Sequence, residues 1–184
     1  MEQQSIYMVI DIDKCWGCKA CQVACKQEHG IPEGSGNVDV IKIEQRDEYD
    51  NLHCDFVPVL CNHCDSPECM EACPAGAVYR DNEGLVSLNR DLCIACGACV
   101  EACPYGCIHI TTIDGEEKAM KCDLCKDRRK RNYLPSCEQH CMGKAYETCD
   151  KQRMEELTKD RYNYRIGRIV YISRKLVELG KNCS

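Results

Sequence analysis

Cysteine dominates this sequence and accounts for 20 of its 184 residues, far above its ordinary usage in soluble proteins. The chain has one Phe and one Trp, so large apolar side chains alone would form a thin core for this length. A net charge of −6 argues against general nucleic-acid binding, which usually requires an excess of Lys and Arg. The composition therefore predicts a metalloprotein whose metal–ligand bonds help to hold the fold.

No segment has the character of a membrane span or of a secretory signal. The longest stretch without charged residues runs from Ala102 to Ile113, short of the roughly 18 residues that a span requires. Residues Met1 to Ile10 lack the basic region that begins a signal peptide. Because free thiols in such number suit a reducing compartment, we expect a cytoplasmic protein without direct membrane insertion, and export together with a signal-bearing partner stays open.

The predicted elements are mostly short strands that lead into cysteine-rich turns. In chain order they are a strand at Ile6–Ile12, a loop at Ile31–Asn37, strands at Val38–Ile43 and Phe56–Leu60, a hairpin of Val78–Arg80 and Leu85–Leu88, and a hairpin of Ile108–Ile113 and Lys118–Met120 around Asp114-Gly115. After Cys149 follow a polar helix at Lys151–Lys159 and a strand at Tyr162–Ile166. This pattern predicts an α+β fold whose tail packs on the cysteine-rich domain or wraps a partner.

Sixteen of the cysteines fall into four groups of four. The groups are Cys15, Cys18, Cys21 and Cys25; Cys61, Cys64, Cys69 and Cys73; Cys93, Cys96, Cys99 and Cys103; and Cys122, Cys125, Cys137 and Cys141. The third group reads C-x2-C-x2-C-x3-C-P, which matches the bacterial ferredoxin run residue for residue. The first group has the same spacing, the second widens its middle gap to x4, and the fourth has gaps of x2, x11 and x3.

These spacings favour iron-sulfur clusters. A cubane needs four thiolates, and a tight C-x2-C-x2-C turn offers only three of them, so the fourth comes from elsewhere, as in two-cluster ferredoxins. Cys73-Pro74 and Cys103-Pro104 fit this role of the last cysteine. Zinc is the main alternative, since C-x2-C pairs are common zinc ligands, but a zinc site does not explain the third cysteine of each run. The same spacings disfavour disulfides.

Three segments of the sequence resemble a known family. They are Cys61-Asn62-His63-Cys64 through Pro67, Cys69 and Cys73-Pro74; Cys93 to Cys103-Pro104-Tyr105-Gly106; and Lys121-Cys122-Asp123-Leu124-Cys125. They are similar to the four-cluster iron-sulfur subunits of the dimethyl sulfoxide reductase, polysulfide reductase and nitrite-reductase-associated group. Similar subunits accompany tungsten enzymes of the aldehyde:ferredoxin oxidoreductase type, including the class II benzoyl-CoA reductase complex. The resemblance covers about Ile6 to Cys149.

The resemblance implies an electron-transfer subunit with four [4Fe-4S] clusters, working in anaerobic metabolism. Its implied partner is a molybdenum- or tungsten-pterin catalytic subunit of an oxidoreductase complex, with a further redox or membrane-anchor subunit as an additional candidate. The chain has no Ser/His/Asp set, nucleotide loop or HExxH motif, so we expect no substrate site of its own. Two alternatives stay open: a hydrogenase or formate-lyase assembly as the partner, and a zinc-structured interaction module.

The resemblance also implies a nested pairing of two ferredoxin-like halves. The implied ligand sets are Cys15, Cys18, Cys21 and Cys141; Cys25, Cys122, Cys125 and Cys137; Cys61, Cys64, Cys69 and Cys103; and Cys73, Cys93, Cys96 and Cys99. The outer half would comprise residues 1–30 and 113–150, the inner half residues 54–112, with an insertion at 31–53 and an extension at 151–184. Because Lys26 and Met142, not Pro, follow the outer groups, three clusters remain an alternative, with the Cys25 set empty or holding zinc.

Residues outside the four groups give weaker signals. The basic run from Lys126 to Arg131 predicts a solvated loop that offsets cluster charge or contacts an acidic partner, with an RNA or nuclear-localisation patch as the alternative. Cys54, Cys107 and Cys149 are predicted to be small buried apolar residues, and Cys183 an exposed thiol.

Overall fold

A computed structural model describes residues 5–46, 48–113 and 115–174 of the chain. Its strands are β1 (Tyr7–Asp11), β2 (Val38–Arg46), β3 (Leu52–Leu60), β4 (Val78–Arg80), β5 (Val86–Leu88), β6 (Ile108–Ile113), β7 (Glu116–Lys121), β8 (Tyr146–Cys149), β9 (Tyr162–Ile166) and β10 (Ile169–Ser173). Its helices are α1 (Ala20–His29), α2 (Glu68–Glu71), α3 (Ala98–Glu101), α4 (Lys126–Lys130), α5 (Ser136–Gln139) and α6 (Lys151–Thr158). The predicted α+β class is confirmed.

A four-stranded sheet in the order β8-β1-β10-β9 forms the centre of the fold. Strand β1 pairs in parallel with β10 and antiparallel with β8. All five residues of β1 and of β10 are buried, because both faces of the sheet are covered. Met8 and Ile10 face the core that contains many of the cysteines, whereas Val9 and Ile172 pack with Leu157 of α6. One face of the sheet therefore packs against the cysteine-rich turns.

Three antiparallel hairpins surround this sheet, formed by β2–β3, β4–β5 and β6–β7. The two predicted hairpins that lead into the third and fourth cysteine groups are confirmed, although Asp114 of the second turn lies outside the described residues. Strands β2 and β3 extend further than predicted and pair from Val38 opposite Leu60 to Arg46 opposite Leu52. Each hairpin delivers the chain into a cysteine-rich turn or away from one.

The tail after Cys149 packs on the cysteine-rich domain. The predicted helix and strand are confirmed as α6 and β9, and β10 is an additional strand that lies between β1 and β9. Arg161, at the entry to β9, donates hydrogen bonds to Asp11 at 2.8 and 3.2 Å and to Asp13 at 2.9 Å. Residues after Arg174, including Cys183, lie outside the described part of the chain.

The basic run forms the short helix α4, and three of its side chains make ion pairs with other parts of the chain. The pairs are Lys126 with Asp81 at 3.0 Å, Arg128 with Glu28 at 2.6 Å and Arg129 with Glu83 at 2.9 Å. The prediction of a solvated loop is therefore wrong for these three cations, because internal carboxylates take up their charge. None of the helices in the described part of the chain combines the length and apolar character that a membrane crossing requires.

Candidate iron-sulfur sites

We describe the sixteen grouped cysteines in the four sets that the family resemblance implies. We name them site A (Cys15, Cys18, Cys21, Cys141), site B (Cys25, Cys122, Cys125, Cys137), site C (Cys61, Cys64, Cys69, Cys103) and site D (Cys73, Cys93, Cys96, Cys99). Every cysteine in the described residues is a free thiol. Sites C and D each line one cavity with all four of their cysteines, and the effects of the thiols on one another's pKa values agree with the other two sets.

Site A joins the turn before α1 to the turn after α5. Burial raises the pKa of the Cys15 thiol, and the neighbouring Cys141 and Cys18 raise it further. The pKa of Cys21, which lies in α1, is likewise raised by burial and by Cys15 and Cys141. The two turns approach closely because Gly143 has no side chain: a Cβ there would collide with the backbone oxygen of Lys14.

Site B lies where α1 packs on α5, and its thiols are the most deeply buried. Burial, followed by the neighbouring Cys125, raises the pKa of Cys25 to about 12. Burial also raises the pKa of Cys137 well above its usual range, with Cys125 and Cys25 adding to the effect. The backbone N–H of Ser136 donates to Cys125 Sγ at 3.4 Å. Four buried thiols without a bound cation would thus stay protonated.

His29 adds a nitrogen to site B. Its Nε2 lies 3.3 Å from Cys125 Sγ and 4.0 Å from a carboxylate oxygen of Asp123, and the three side chains offer donor atoms that all lie within 4.8 Å of one another. In a cluster site, the imidazole would donate a hydrogen bond to the thiolate sulfur. In a zinc site, it would be a ligand in its own right.

Site C opens into a cavity of about 310 Å³ that its four cysteines line together with Tyr105 and Tyr164. Burial and the neighbouring Cys61 raise the pKa of Cys69 to about 11, and Cys103 also contributes. The pKa of Cys64 is raised by burial, then by Cys61 and Cys103. The last cysteine of group three therefore lies among the first three of group two.

Site D lies in an apolar cavity lined by its four cysteines and by residues such as Val78, Leu88 and Ile110. Burial raises the pKa of Cys99, and Cys73 and Cys93 raise it further. Burial acts on Cys73 in the same direction, but backbone N–H groups of residues 75–78 outweigh it and lower the pKa of this thiol. One of these bonds runs from the N–H of Ala77 to Cys73 Sγ at 3.2 Å.

The four donor sets fit [4Fe-4S] clusters. Each set supplies four sulfur atoms, which is the ligand type and number that a cubane takes. Backbone N–H groups donate to the sulfurs of Cys93 at 3.3 Å, Cys122 at 3.4 Å and Cys141 at 3.2 Å, and such bonds stabilise thiolate over thiol. A buried cation, Lys121, has no carboxylate in an ion pair with it among the described residues, as expected if anionic clusters lie nearby.

The sequence gives no functional signal for His29, and it places Lys121 in a segment that resembles a known family without indicating a role for its ammonium. Lys121 stands next to a cysteine motif, but nothing in its position along the chain shows that its ammonium is buried. His29 is 96 residues from Cys125, so only the packing of α1 brings them together. Among the remaining cysteines, the prediction of burial is wrong for Cys54, which is exposed on β3.

Cys107 and Cys149 are partly buried, and burial raises the pKa of each to about 12. The neighbouring thiols of Cys61 and Cys103 also raise the pKa of Cys107, and Cys107 lines the cavity of site C. Neither residue belongs to the four groups, and both pack against apolar cores, which agrees with their predicted role.

Comparison with known proteins assigns these sites to a class. Residues 52–151 match the 4Fe-4S dicluster domain family, and residues 12–28 match a 4Fe-4S binding domain. The chain belongs to the 4Fe-4S dicluster domain family.

Several relatives of the chain are named as parts of reductases. A tetrathionate reductase subunit of Archaeoglobus fulgidus is 40% identical over 129 residues, which are 70% of this chain and 59% of the relative. Protein NrfC of Escherichia coli K12 is 38% identical over 140 residues, 75% of this chain and 62% of the relative. The thiosulfate reductase electron transfer subunit PhsB of Salmonella typhi is 38% identical over 136 residues, 73% and 70% of the two chains. The matched region thus spans about three fifths of the length of the first two relatives.

Proposed function

We propose that the chain is an electron-transfer subunit that holds four [4Fe-4S] clusters and relays electrons to or from a molybdenum- or tungsten-pterin catalytic subunit. The observation that carries the proposal is the composition of each thiol neighbourhood, in which three cysteines of one group lie with the last cysteine of another. In two-cluster ferredoxins the same exchange ties two clusters into one body. The relatives named as reductase subunits support a catalytic partner of this kind.

The proposed organisation is the nested one. Groups two and three form the inner half at residues 54–112, and groups one and four form the outer half at residues 1–30 and 113–150. The insertion at 31–53 and the extension at 151–184 complete the chain. The ligand sets are those of sites A to D. The partner's metal and a cytoplasmic location, with co-export as the alternative, are parts of the same proposal.

The placement of the sites supports a linear path for electrons. Sites A and B share helix α1 through Cys21 and Cys25, and sites C and D meet at α3 through Cys99 and the Cys103 that follows. The two halves meet at Cys61 and Cys122. Burial and the neighbours of Cys122 within site B raise its pKa most, and Cys61 raises it further. The proposed order of the clusters along the electron path is therefore A, B, C, D.

The two ends of this path reach the surface. Cys18 of site A is exposed, and Trp16 and Met142 beside site A are 64% and 67% exposed. Cys96 of site D is exposed, and Ile94 next to it is 65% exposed. A partner that covered either end would exclude water from the terminal cluster and bring its own cofactor near. Electrons would thus enter at one end and leave at the other.

Pairs of cysteine substitutions test the nested assignment. Cys25→Ser combined with Cys125→Ser should remove about four irons per chain, because both residues serve one cluster. Cys25→Ser combined with Cys18→Ser should remove about eight, because the two residues serve different clusters. Cys54→Ser is the control and should keep the wild-type iron content. Iron and acid-labile sulfide are measured on anaerobically purified protein, and the reverse ranking of the two double variants would exclude nesting.

The zinc alternative at site B has one observation in its favour, the imidazole of His29 beside Cys125. Metal analysis of the same preparations decides it. About one zinc per chain, with about twelve irons, would replace the four-cluster proposal by a three-cluster one.

A further inference from the structure

Lys121 is a buried cation at the boundary between the two halves. It is the last residue of β7 and precedes Cys122 of site B in the chain. The residue is 6% exposed. Its ammonium donates a hydrogen bond to the backbone oxygen of Cys122 at 2.8 Å and another to the backbone oxygen of Val86. The two carbonyls fix the position of the charge.

Among the described residues, no carboxylate lies within ion-pair distance of the Lys121 ammonium, although Glu28, Asp123 and Asp127 line a cavity that Lys121 also lines. Lys118 and Lys126, its neighbours along the chain, pair with Glu116 and Asp81, but no carboxylate of the described chain forms an ion pair with Lys121. An isolated buried ammonium is unfavourable unless an opposite charge lies nearby. Carbonyl dipoles supply hydrogen bonds without a net charge, so a nearby anion would stabilise the ammonium further.

Val86, whose backbone oxygen accepts a hydrogen bond from the Lys121 ammonium, lines the cavity of site C together with its four cysteines. The Lys121 charge lowers the pKa of Cys69 and of Cys107, in each case against the larger opposing effect of burial. Burial followed by the Lys121 charge also lowers the pKa of His63, which lies in the turn between Cys61 and Cys64, well below its usual range. The ammonium therefore lies beside the thiols of site C.

The other cations near this point differ from Lys121. Arg129 makes two hydrogen bonds of 2.9 Å to the carboxylate of Glu83, so its charge is balanced. Arg168 lies 5.0 Å from the ring centroid of Tyr7 and also forms no ion pair among the described residues, but its side chain is only partly buried. Arg80 donates to the backbone oxygens of Cys64 and Asp65 without an ion pair in the described part of the chain, but it is exposed. Lys121 is thus the most deeply buried of the unpaired cations near site C.

We propose that Lys121 is the counter-charge that raises the reduction potential of the cluster in site C. The inference rests on the proposed function. A [4Fe-4S] cluster with four thiolates is an anion, and reduction by one electron makes it more negative. A fixed cation in a medium of low dielectric constant stabilises the reduced form more than the oxidised form. Lys121 would thereby favour the arrival of an electron at the point where the two halves meet.

The test replaces the charge and keeps the shape. Lys121→Met retains an unbranched side chain of similar length, and Lys121→Arg retains the charge. Each variant is purified anaerobically as the full chain, assayed for iron and sulfide, and titrated with redox mediators while the reduced clusters are followed by electron paramagnetic resonance. Lys118→Met is the matched control, because Lys118 also donates to a ligand's carbonyl, that of Cys93 at 3.0 Å, but has a carboxylate partner.

We expect Lys121→Met to lower one cluster potential so that its reduction equilibrium changes at least tenfold, which is 59 mV for a one-electron couple. Lys121→Arg and Lys118→Met should change it less than threefold. In a Cys64→Ser background, which removes the site C cluster, Lys121→Met should leave the remaining potentials in place. Loss of site C iron in Lys121→Met with retention in Lys121→Arg would also support the counter-charge, since the cation would then be needed to hold the anion.

Two results would overturn the inference. One is an unchanged set of potentials in a Lys121→Met protein with full iron content. The other is an equal shift, or an equal loss of iron, in the Met and Arg variants, because the cause would then be packing and not charge. A wild-type protein without matching iron and sulfide would instead remove the proposed function itself, so the two failures are distinguishable.

Discussion

The individual thiols differ in the number of hydrogen bonds that they accept from backbone N–H groups, and this difference affects their pKa values. Cys73 accepts hydrogen bonds from successive N–H groups and has a lowered pKa, although burial acts against it. Cys25 accepts little such help, and burial with the neighbouring Cys125 raises its pKa to about 12. Since N–H···S bonds and burial both tune iron-sulfur potentials, the clusters in sites D and B should not be equivalent electron carriers.

Gly143 gives the most direct residue-scale prediction. Gly143→Ala would place a methyl group against the backbone of Lys14 and within 3.4 Å of Trp16 Nε1, and backbone cannot rotate away as a side chain can. We expect the turn that carries Cys141 to move from Cys15, with the loss of up to about four irons per chain. Gly36→Ala is the control, because a Cβ added at Gly36 would lie 3.5 Å from the nearest atom beyond its chain neighbours, Val38 O, which is an ordinary contact. Wild-type iron content in both variants would contradict this account of site A.

Cysteine spacing predicts the four groups of ligands because ligand geometry restricts how many residues separate adjacent thiols, whereas the distribution of these cysteines over four sites is implied only by the family resemblance. Spacing does not predict Lys121 or His29. Lysine is usually solvated, so its burial depends on the contact between β7 and the carbonyl of Val86, and His29 reaches Cys125 only through the packing of α1. Such contacts are properties of the assembled fold and leave no local signal.

At the scale of elements, ion pairs join the basic helix α4 to the β4–β5 turn. Asp81 Oδ1 accepts from the N–H groups of Glu83 and Leu85 at 3.0 Å, and Oδ2 accepts from Ser87 at 2.9 Å and from Lys126 at 3.0 Å. Only 3% of the Asp81 side chain is exposed. The carboxylate thus fixes its own turn and joins it to the helix that follows Cys125.

Asp81→Asn should lower the free energy of unfolding by about 3 kcal/mol, because it breaks a buried charge pair. Although burial acts to raise it, the hydrogen bonds from Lys126 and Ser87 lower the pKa of Asp81 below its ordinary value of 3.8. A lowered folded-state pKa gives stability that is complete above the unfolded value and is lost as the pH falls through the folded value. The difference between wild type and variant should therefore be equal at about pH 8 and pH 5.

Denaturant unfolding at the two pH values measures this difference. Asp127→Asn is the control, because Asp127 is 85% exposed in its pair with Lys130 and such pairs contribute about 0 to 1 kcal/mol. Two results would contradict a stabilising ion pair between Asp81 and Lys126. One is a stability difference between wild type and Asp81→Asn that disappears by pH 5. The other is an equal loss of stability in the two variants.

Local pattern predicts most of the elements but not the central sheet. The turn residues between Val78 and Leu88 predict the β4–β5 hairpin, since Asp81 and Gly84 favour a tight turn. Strand β10 shows no alternation of apolar and polar residues, because parallel pairing with β1 and the cover of α6 bury both of its faces. Its run of apolar residues, Ile169 to Ile172, fits several structures equally well until its partner is known.

At the scale of the whole molecule, the sheet and the sulfur sites depend on each other. The principal core contains both strand residues such as Met8 and Ile169 and the thiols of Cys21, Cys61 and Cys137. With so few large apolar side chains, metal binding would supply part of the folding free energy. The metal–ligand bonds would then both stabilise the fold and form the path for electrons.

The amounts of iron and acid-labile sulfide in anaerobically purified protein test the central claim most directly. Four cubanes in one chain predict about sixteen irons and an equal number of sulfides, with the reduced protein showing interacting paramagnetic clusters. Fewer than about twelve irons per chain, without matching sulfide, would contradict the account.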